Sequence, residues 1–458
     1  MPSLGETSQD ARPRDAWFQR MLEKLGLHRP ELRAWAMYDW ANSAMMTTII
    51  TAIFPIYYAS VACSGVCDLK EAERRYAIAT VIGMVVIALI SPVLGTIADL
   101  KGDKKKMLGG FLTVGILSVA GMFFIFHGDW ILASALFIFA NIGANGSFVF
   151  YDALLPHVAR EDEIDRVSTA GYALGYIGGG TLLALNLAWY MKPEWFGLPH
   201  GEGLTPAQAT LPTRLAFLSV AIWWLVFSIP LFRRVAEPHV PPERIPAGIP
   251  VRAACARLME TFRSLRSHRQ AFLMLLAFLI YNDGIGTIIR MAVIYGKEIG
   301  IDDTTMIASI MIVQFVGIPC AFLFGMLAHR LGAKRSIGIG LVAYIVICVF
   351  GYFMKSATHF LILAVLVGAV QGGTQALSRS LFGSLIPKDK SGEFFGFFGV
   401  AEKFAGILGP AIFAVVSGRH AILALIAFFI VGGALLYFVD VAQGQRRARA
   451  DEAGGLPA

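Results

Sequence analysis

Apolar residues in this chain come in blocks of about 20, the length a helix needs to cross the hydrocarbon core of a bilayer. The polar breaks between the blocks are short. Twelve blocks can be read, at 35–60, 77–98, 107–127, 130–155, 168–190, 214–232, 271–296, 304–328, 336–354, 359–386, 395–417 and 420–440. Some neighbours are parted only by a turn, such as Gly128-Asp129 and Gly418-Arg419. Each block is predicted to be a helix, because an isolated strand leaves its backbone unpaired in lipid. The pattern predicts an all-α membrane protein with twelve transmembrane helices.

The longest polar connection, 233–270, splits the blocks six and six. The expected organisation is an N-tail over 1–34, a six-helix bundle over 35–232, a linker over 233–270, a second bundle over 271–440 and a tail over 441–458. Within the linker, Arg252, Arg257, Arg263, Arg266 and Arg269 alternate with Leu258, Met259, Phe262 and Leu265. That pattern predicts an amphipathic helix lying on anionic headgroups.

Composition agrees with the spans. Charged residues make up 16% of the 458 residues, against about 25% in soluble domains, too few to solvate a surface of this size. The net charge of +7 has a topological reading. With the N-terminus cytoplasmic, one set of loops holds only Lys70, Arg74, Arg75, Lys192, Arg214, Lys297, Lys355 and Arg419, and nearly all other basic residues fall on the opposite side. The positive-inside rule therefore places both termini in the cytoplasm, and nucleic-acid binding is not required to explain the charge. Residues 1–34 lack the short apolar core of a signal peptide. Cys63 and Cys67 have no histidine or further cysteine nearby to form a metal site. They can close a local disulfide if their loop faces an oxidising compartment.

The two halves repeat at an offset of about 230. Gly95-Thr-Ile-Ala-Asp99-Leu-Lys-Gly102-Asp-Lys104-Lys105 follows the second span, and Gly325-Met-Leu-Ala-His329-Arg-Leu-Gly332-Ala-Lys334-Arg335 follows the eighth. Pro156 matches Pro387, Gly175 and Gly178 match Gly406 and Gly409, and Asn141 and Asn145 match Gln371 and Gln375. Parallel six-span repeats with a site near the midplane are how major facilitator transporters are built, and the first string resembles that superfamily's loop motif. The resemblance implies two pseudo-symmetric six-helix bundles. It also implies a cytoplasmic gate of Gly95, Asp99, Gly102, Lys104 and Lys105, in which Asp99 locks the outward-facing state and the basic pair holds the loop at the surface. In the second half Gly325, Gly332 and Arg335 keep the pattern, but His329 replaces the acid.

The first span reads Tyr38-Asp39-Trp40-Ala41-Asn42-Ser43-Ala44, then Thr47-Thr48-Ile49-Ile50 and Phe54-Pro55-Ile56-Tyr57-Tyr58. It resembles the vacuolar-effluxer-like, autophagy-related branch of the major facilitators and its bacterial relatives. The resemblance implies transport of a small solute, with amino acids as one substrate class.

Ionisable residues inside a membrane are costly and mark functional sites. Asp39 and Asn42 share a face of span 1. Asn141, Asn145, Phe148 and Asp152 form one polar stripe on span 4, with Asp152 placed as a gate residue. Gln371, Gln375 and Arg379 form another on span 10. Asp283 and Arg290 lie on one face of span 7, and Glu402-Lys403 sits in span 11. Adjacent helical residues point about 100° apart, so the expectation is that Glu402 pairs with Arg290 or Arg379 rather than with Lys403. Carboxylates and cations facing a cavity suit substrate binding and proton coupling. The reading is a non-enzymatic secondary transporter of the bacterial inner membrane, without cofactor or metal. Its partners are a small-molecule substrate, the lipid bilayer and protons. The alternatives are an exporter of drugs or amphipathic metabolites, and a lipid translocator.

Overall fold

The computed structural model describes residues 13–239, 268–298, 300–301, 303–404 and 419–454; the side chains of 13–16, 290–298, 303–304, 307, 404, 419–421 and 454 are not among what is described. The regular elements within these residues are all helical. The linker helix expected at 251–269, and Gly406 and Gly409 of the repeat, fall outside the described residues.

In the first half, α1 (Pro13–Lys24) precedes α2 (Pro30–Ala44), α3 (Leu69–Lys101), α4 (Lys104–Gly121), α5 (Trp130–Val158), α6 (Ile164–Met191) and α7 (Leu211–Arg234). In the second half, α8 (Arg269–Glu298), α9 (Asp303–Leu331), α10 (Ala333–Tyr352), α11 (Ala357–Ser384), α12 (Ser391–Phe404) and α13 (Arg419–Tyr437) are followed by α14 (Val441–Gly454). Eight of these helices are long and apolar enough to cross a membrane, and two bent pairs bring the number to ten. The eleventh expected span is described only as far as Phe404. α6, which carries the run Gly178-Gly179-Gly180 and holds the fifth expected span, is not among these; it packs against α2 within its half and α9 in the other.

The first span differs from a simple helix over 35–60. It starts at Pro30, continues from Ala44 as π-helix over Met45–Ala52, bends by 40° and resumes from Phe54. Wider turns of this kind cluster at functional sites. α3 starts eight residues before its expected apolar block, capped by Asp68, whose side chain accepts the Glu71 N–H at 2.8 Å.

Close packing of the helices depends on glycine. A Cβ at Gly143 would lie 2.5 Å from the Gly115 backbone and 2.7 Å from the Phe111 carbonyl, so α4 and α5 meet through two glycines. One end of the molecule, the basic face, gathers the turns after α3, α5, α9 and α11 together with both terminal helices. Gly102 takes φ +67° in the turn after α3, where glycine is the residue that fits. Lys105 then donates to the carbonyls of Phe232 and Val235 at the end of α7, and Glu237 accepts the Lys105 N–H at 3.0 Å. Burial raises the Glu237 carboxyl above its ordinary range, and that hydrogen bond and the Lys105 charge pull it back. In the second half the counterpart is Lys334, which donates to the carbonyls of Tyr437 and Val439. α10 begins one residue earlier in its motif than α4 does, so the two strings slip by one residue here and Arg335 is left exposed.

At the opposite face Cys63 and Cys67 form a disulfide.

Candidate functional site

A cavity of about 390 Å³ lies between the two halves. Its floor is nearest the basic face and carries Asp39 from α2, Asp152 from α5, Arg379 from α11 and Glu402 from α12. From there the cavity climbs α11 through Gln375, Gln371, Val367 and Leu363 to Phe360, about 28 Å along the helix at 1.5 Å per residue. Ser43, Thr47 and Thr51 line it from the bent first span, and Tyr172 and Tyr176 from α6.

Arg379 organises the floor. It is 3% exposed, and all its described polar partners belong to the other half. It meets Asp39 at 3.3 Å, Asp152 at 3.0 Å, the Ser168 hydroxyl at 2.9 Å and the Ser168 carbonyl at 3.0 Å. Tyr151 donates to the same Asp39 oxygen at 2.8 Å. The guanidinium also faces the rings of Trp35 and Tyr172, at 5.0 and 4.7 Å. Gly171 makes room for this network: a Cβ there would lie 2.5 Å from Asp39 Oδ2 and 3.1 Å from Arg379 Nη2. A planar cation with five donors suits such a site, because each N–H can be given its own acceptor.

The expected pairing of Glu402 with Arg379 is therefore corrected. Both ion-pair partners of Arg379 are aspartates of the first half, and Glu402 pairs with its neighbour Lys403 at 3.1 Å. A 100° separation is spanned when a long lysine stem curls back over the helix surface. The side chain of Arg290 is outside the described residues.

Nearer the basic face a second layer joins the halves. Asp99 at the end of α3 accepts the N–H groups of Gly392 at 3.0 Å and Glu393 at 2.7 Å, the first turn of α12. These are free helix N-terminal donors, where a carboxylate is favoured. Lys104, 2% exposed, pairs with Asp99 at 2.6 Å. This corrects the expectation that both lysines of the motif hold the loop at the surface: Lys104 is buried in the seam, and Lys105 clamps α7. Gly95 lies against the Gly392 carbonyl so closely that no Cβ fits. His157 and Ser391 meet at 3.1 Å beside it. In the second half His329 is exposed and makes no such latch, and Gly325 instead packs α9 on Thr169 of α6. Gly332, at φ +85°, forms the turn before α10.

The remaining predicted residues divide. Gln371 and Gln375 line the cavity, and Gln375 reaches Asn282 at 3.4 Å. Asn42 turns to Ser147 within its own half. Asn141 and Asn145 hydrogen bond to each other, packed beside Gly83. Asp283 is buried and does not line the cavity. The repeat thus preserves position without preserving role. Sequence reasoning missed Ser168, Tyr151 and Gly171. Ser168, Gly171, Gly175 and Gly178 lie at helical spacing along α6, a stripe of small residues that marks a close helix contact.

Two helical bundles meeting around one cavity, with a carboxylate latch at one end, define a membrane transporter of the major facilitator type. The backbone agrees with solved members: the FucP transporter in its outward conformation has a TM-score of 0.67 at 12% identity, covering 90% of this chain and 100% of that one. The proton:xylose symporter XylE gives 0.66 at 12% identity, covering 90% and 95%. The chain belongs to the family described as vacuole effluxer Atg22 like, whose model matches residues 28–449. It is similar to the uncharacterized MFS-type transporter YxiO of Bacillus subtilis, 36% identical over 90% of this chain and 96% of that protein. Similarity to autophagy-related protein 22 of Yarrowia lipolytica is 27% over 62% of this chain and 51% of that one.

Proposed function

We propose that the chain is a secondary transporter that moves a small solute through the central cavity by alternating access, with proton coupling through the carboxylates on its floor. The observation that carries this reading is the inter-half cavity, closed toward the basic face by two layers of contacts, Arg379 with Asp39 and Asp152, and Asp99 with the first turn of α12. Neither layer is covalent, and both consist of contacts between the halves that a rocking motion can break and remake. The basic face is the cytoplasmic one and the membrane is a bacterial inner membrane; the basic loops and the disulfide on the other face both support that orientation.

Amino acids are the first substrate class to examine, as the family resemblance implies. Uptake of labelled amino acids into proteoliposomes, with and without a pH gradient, tests the proposal. Gradient-dependent accumulation is expected. No uptake of any solute under any gradient sinks the transporter reading. A lipid translocator is the second reading: the lower cavity is charged while its upper wall, from Ile288, Val313 and Leu363, is apolar. Scrambling of labelled lysolipid without solute uptake would favour it.

A further inference from the structure

The charges on the cavity floor are not balanced as seen by a solute. Arg379 is the only basic side chain lining the cavity among the described residues, and it is turned to its own partners: Ser168, Asp39 and Asp152 take its N–H groups. The acids are open on their other side. Asp39 accepts through Oδ2 and Asp152 through Oδ1, and the second oxygen of each has no hydrogen bond among the described residues while its residue lines the cavity. Glu402 also lines the cavity, 38% exposed, and its partner Lys403 lies behind it, outside the lining. Counting all five groups as ionised, the floor carries one net negative charge, and what it presents upward is carboxylate oxygen.

Higher on the wall the cavity holds an amide in place of further charge. Gln314 of α9 is only 7% exposed and lines the cavity, yet its side-chain amide has no hydrogen-bond partner among the described residues. Its stem rests on Gly180 of α6, where a Cβ would lie 3.3 Å away. Its amide opens into the cavity, about 13 Å above the acids by the nine residues that part Gly180 from Gly171 on α6. Tyr172, whose ring faces Arg379, and Tyr176, whose ring packs on Gly317 and Gly372, stand on the same wall.

We infer that the cavity recognises its solute through a protonated amine, held by the open oxygens of Asp39, Asp152 and Glu402, with an apolar body lying along the upper wall past Gln314. The inference rests on the cavity being the solute site. A carboxylate on the solute has no donor waiting for it at Arg379, so an amino acid enters by its ammonium end and a simple organic anion is rejected.

The test measures binding rather than transport. Calorimetric titration of the purified full chain in detergent uses matched sets sharing one body: hexylamine, norleucine and hexanoate, then 2-phenylethylamine, phenylalanine and 3-phenylpropanoate. The amines and amino acids are expected to bind at least about tenfold more tightly than the acids, the ratio that one modest charge interaction supplies. Glu402→Gln is expected to weaken amine binding about tenfold with an unchanged melting temperature in the absence of ligand. Acids that bind as tightly as amines overturn the inference. So does the absence of binding by every compound, or amine binding that Glu402→Gln leaves intact. Binding of amines without transport in proteoliposomes would remove the transporter reading and leave the ammonium site standing, whereas coupled transport of the acids alone would do the reverse.

Discussion

Arg379 on α11 and Asp152 on α5 lie 3.0 Å apart across the seam between the halves, 227 residues apart in the chain. With Asp39 on the same guanidinium, this is a buried ion triad whose members pair only while the seam is closed. Removing the cation strands two buried carboxylates. Arg379→Ala should cost about 3–5 kcal/mol of stability, the usual effect of breaking a buried pair. Adding Asp39→Asn and Asp152→Asn should restore part of it. Melting temperatures of the purified variants check this, and a single variant as stable as wild type would refute the pairing.

Asp99 closes the layer nearer the basic face. Asp99→Asn keeps the shape of the side chain but loses the charge that Lys104 and the α12 N–H groups meet. The halves should separate at this face. Spin labels at the exposed positions Lys101 and Asp389 should report a longer distance in the variant than in the parent. Gly95→Ala should act in the same direction, because a Cβ collides with the Gly392 carbonyl. An unchanged distance distribution in both variants would remove the latch.

Gly171 and Gly110 make a contrasting pair. A Cβ at Gly171 falls into the Asp39–Arg379 network, whereas one at Gly110 meets nothing within 4 Å. Gly171→Ala should cost about 1–3 kcal/mol through overpacking and depress transport. Gly110→Ala should be neutral or stabilising, by up to about 1 kcal/mol, since alanine is the better helix former. Thermal denaturation of the two variants side by side checks both directions at once.

The disulfide offers a test of orientation. Half-buried Cys67 should resist a membrane-impermeant maleimide on intact cells until a reductant is added, and then label, whereas Cys63 is buried. Buried Cys348 should stay unmodified throughout. Labelling of Cys67 without reductant would deny the disulfide, and failure of Cys67 to label after reduction would reverse the proposed orientation.

Much of the fold was legible because a bilayer imposes one rule: a long apolar block must be helix. The helical class and a short set of membrane-embedded charges followed from that rule and from counting residues, and the gate motif was implied by a family resemblance. What resisted was pairing. The 100° between Glu402 and Lys403 suggested that Glu402 turns to Arg379, a contact that the seam does not make, and the matching of Asn141 and Asn145 with Gln371 and Gln375 suggested a shared role that packing divides.

The reason is physical. Hydropathy and period depend on neighbours along the chain, so the sequence alone determined the helices, their approximate limits and the list of costly polar residues within them. Which of those residues meet depends on how two six-helix bodies rest against each other. That is set by close approaches at Gly95, Gly171 and Gly325, where the lack of a side chain lets backbone or polar atoms in. Only the tertiary structure therefore decided that Arg379 turns to Asp39 and Asp152, that Lys104 is buried beside Asp99, and that open carboxylates face the cavity.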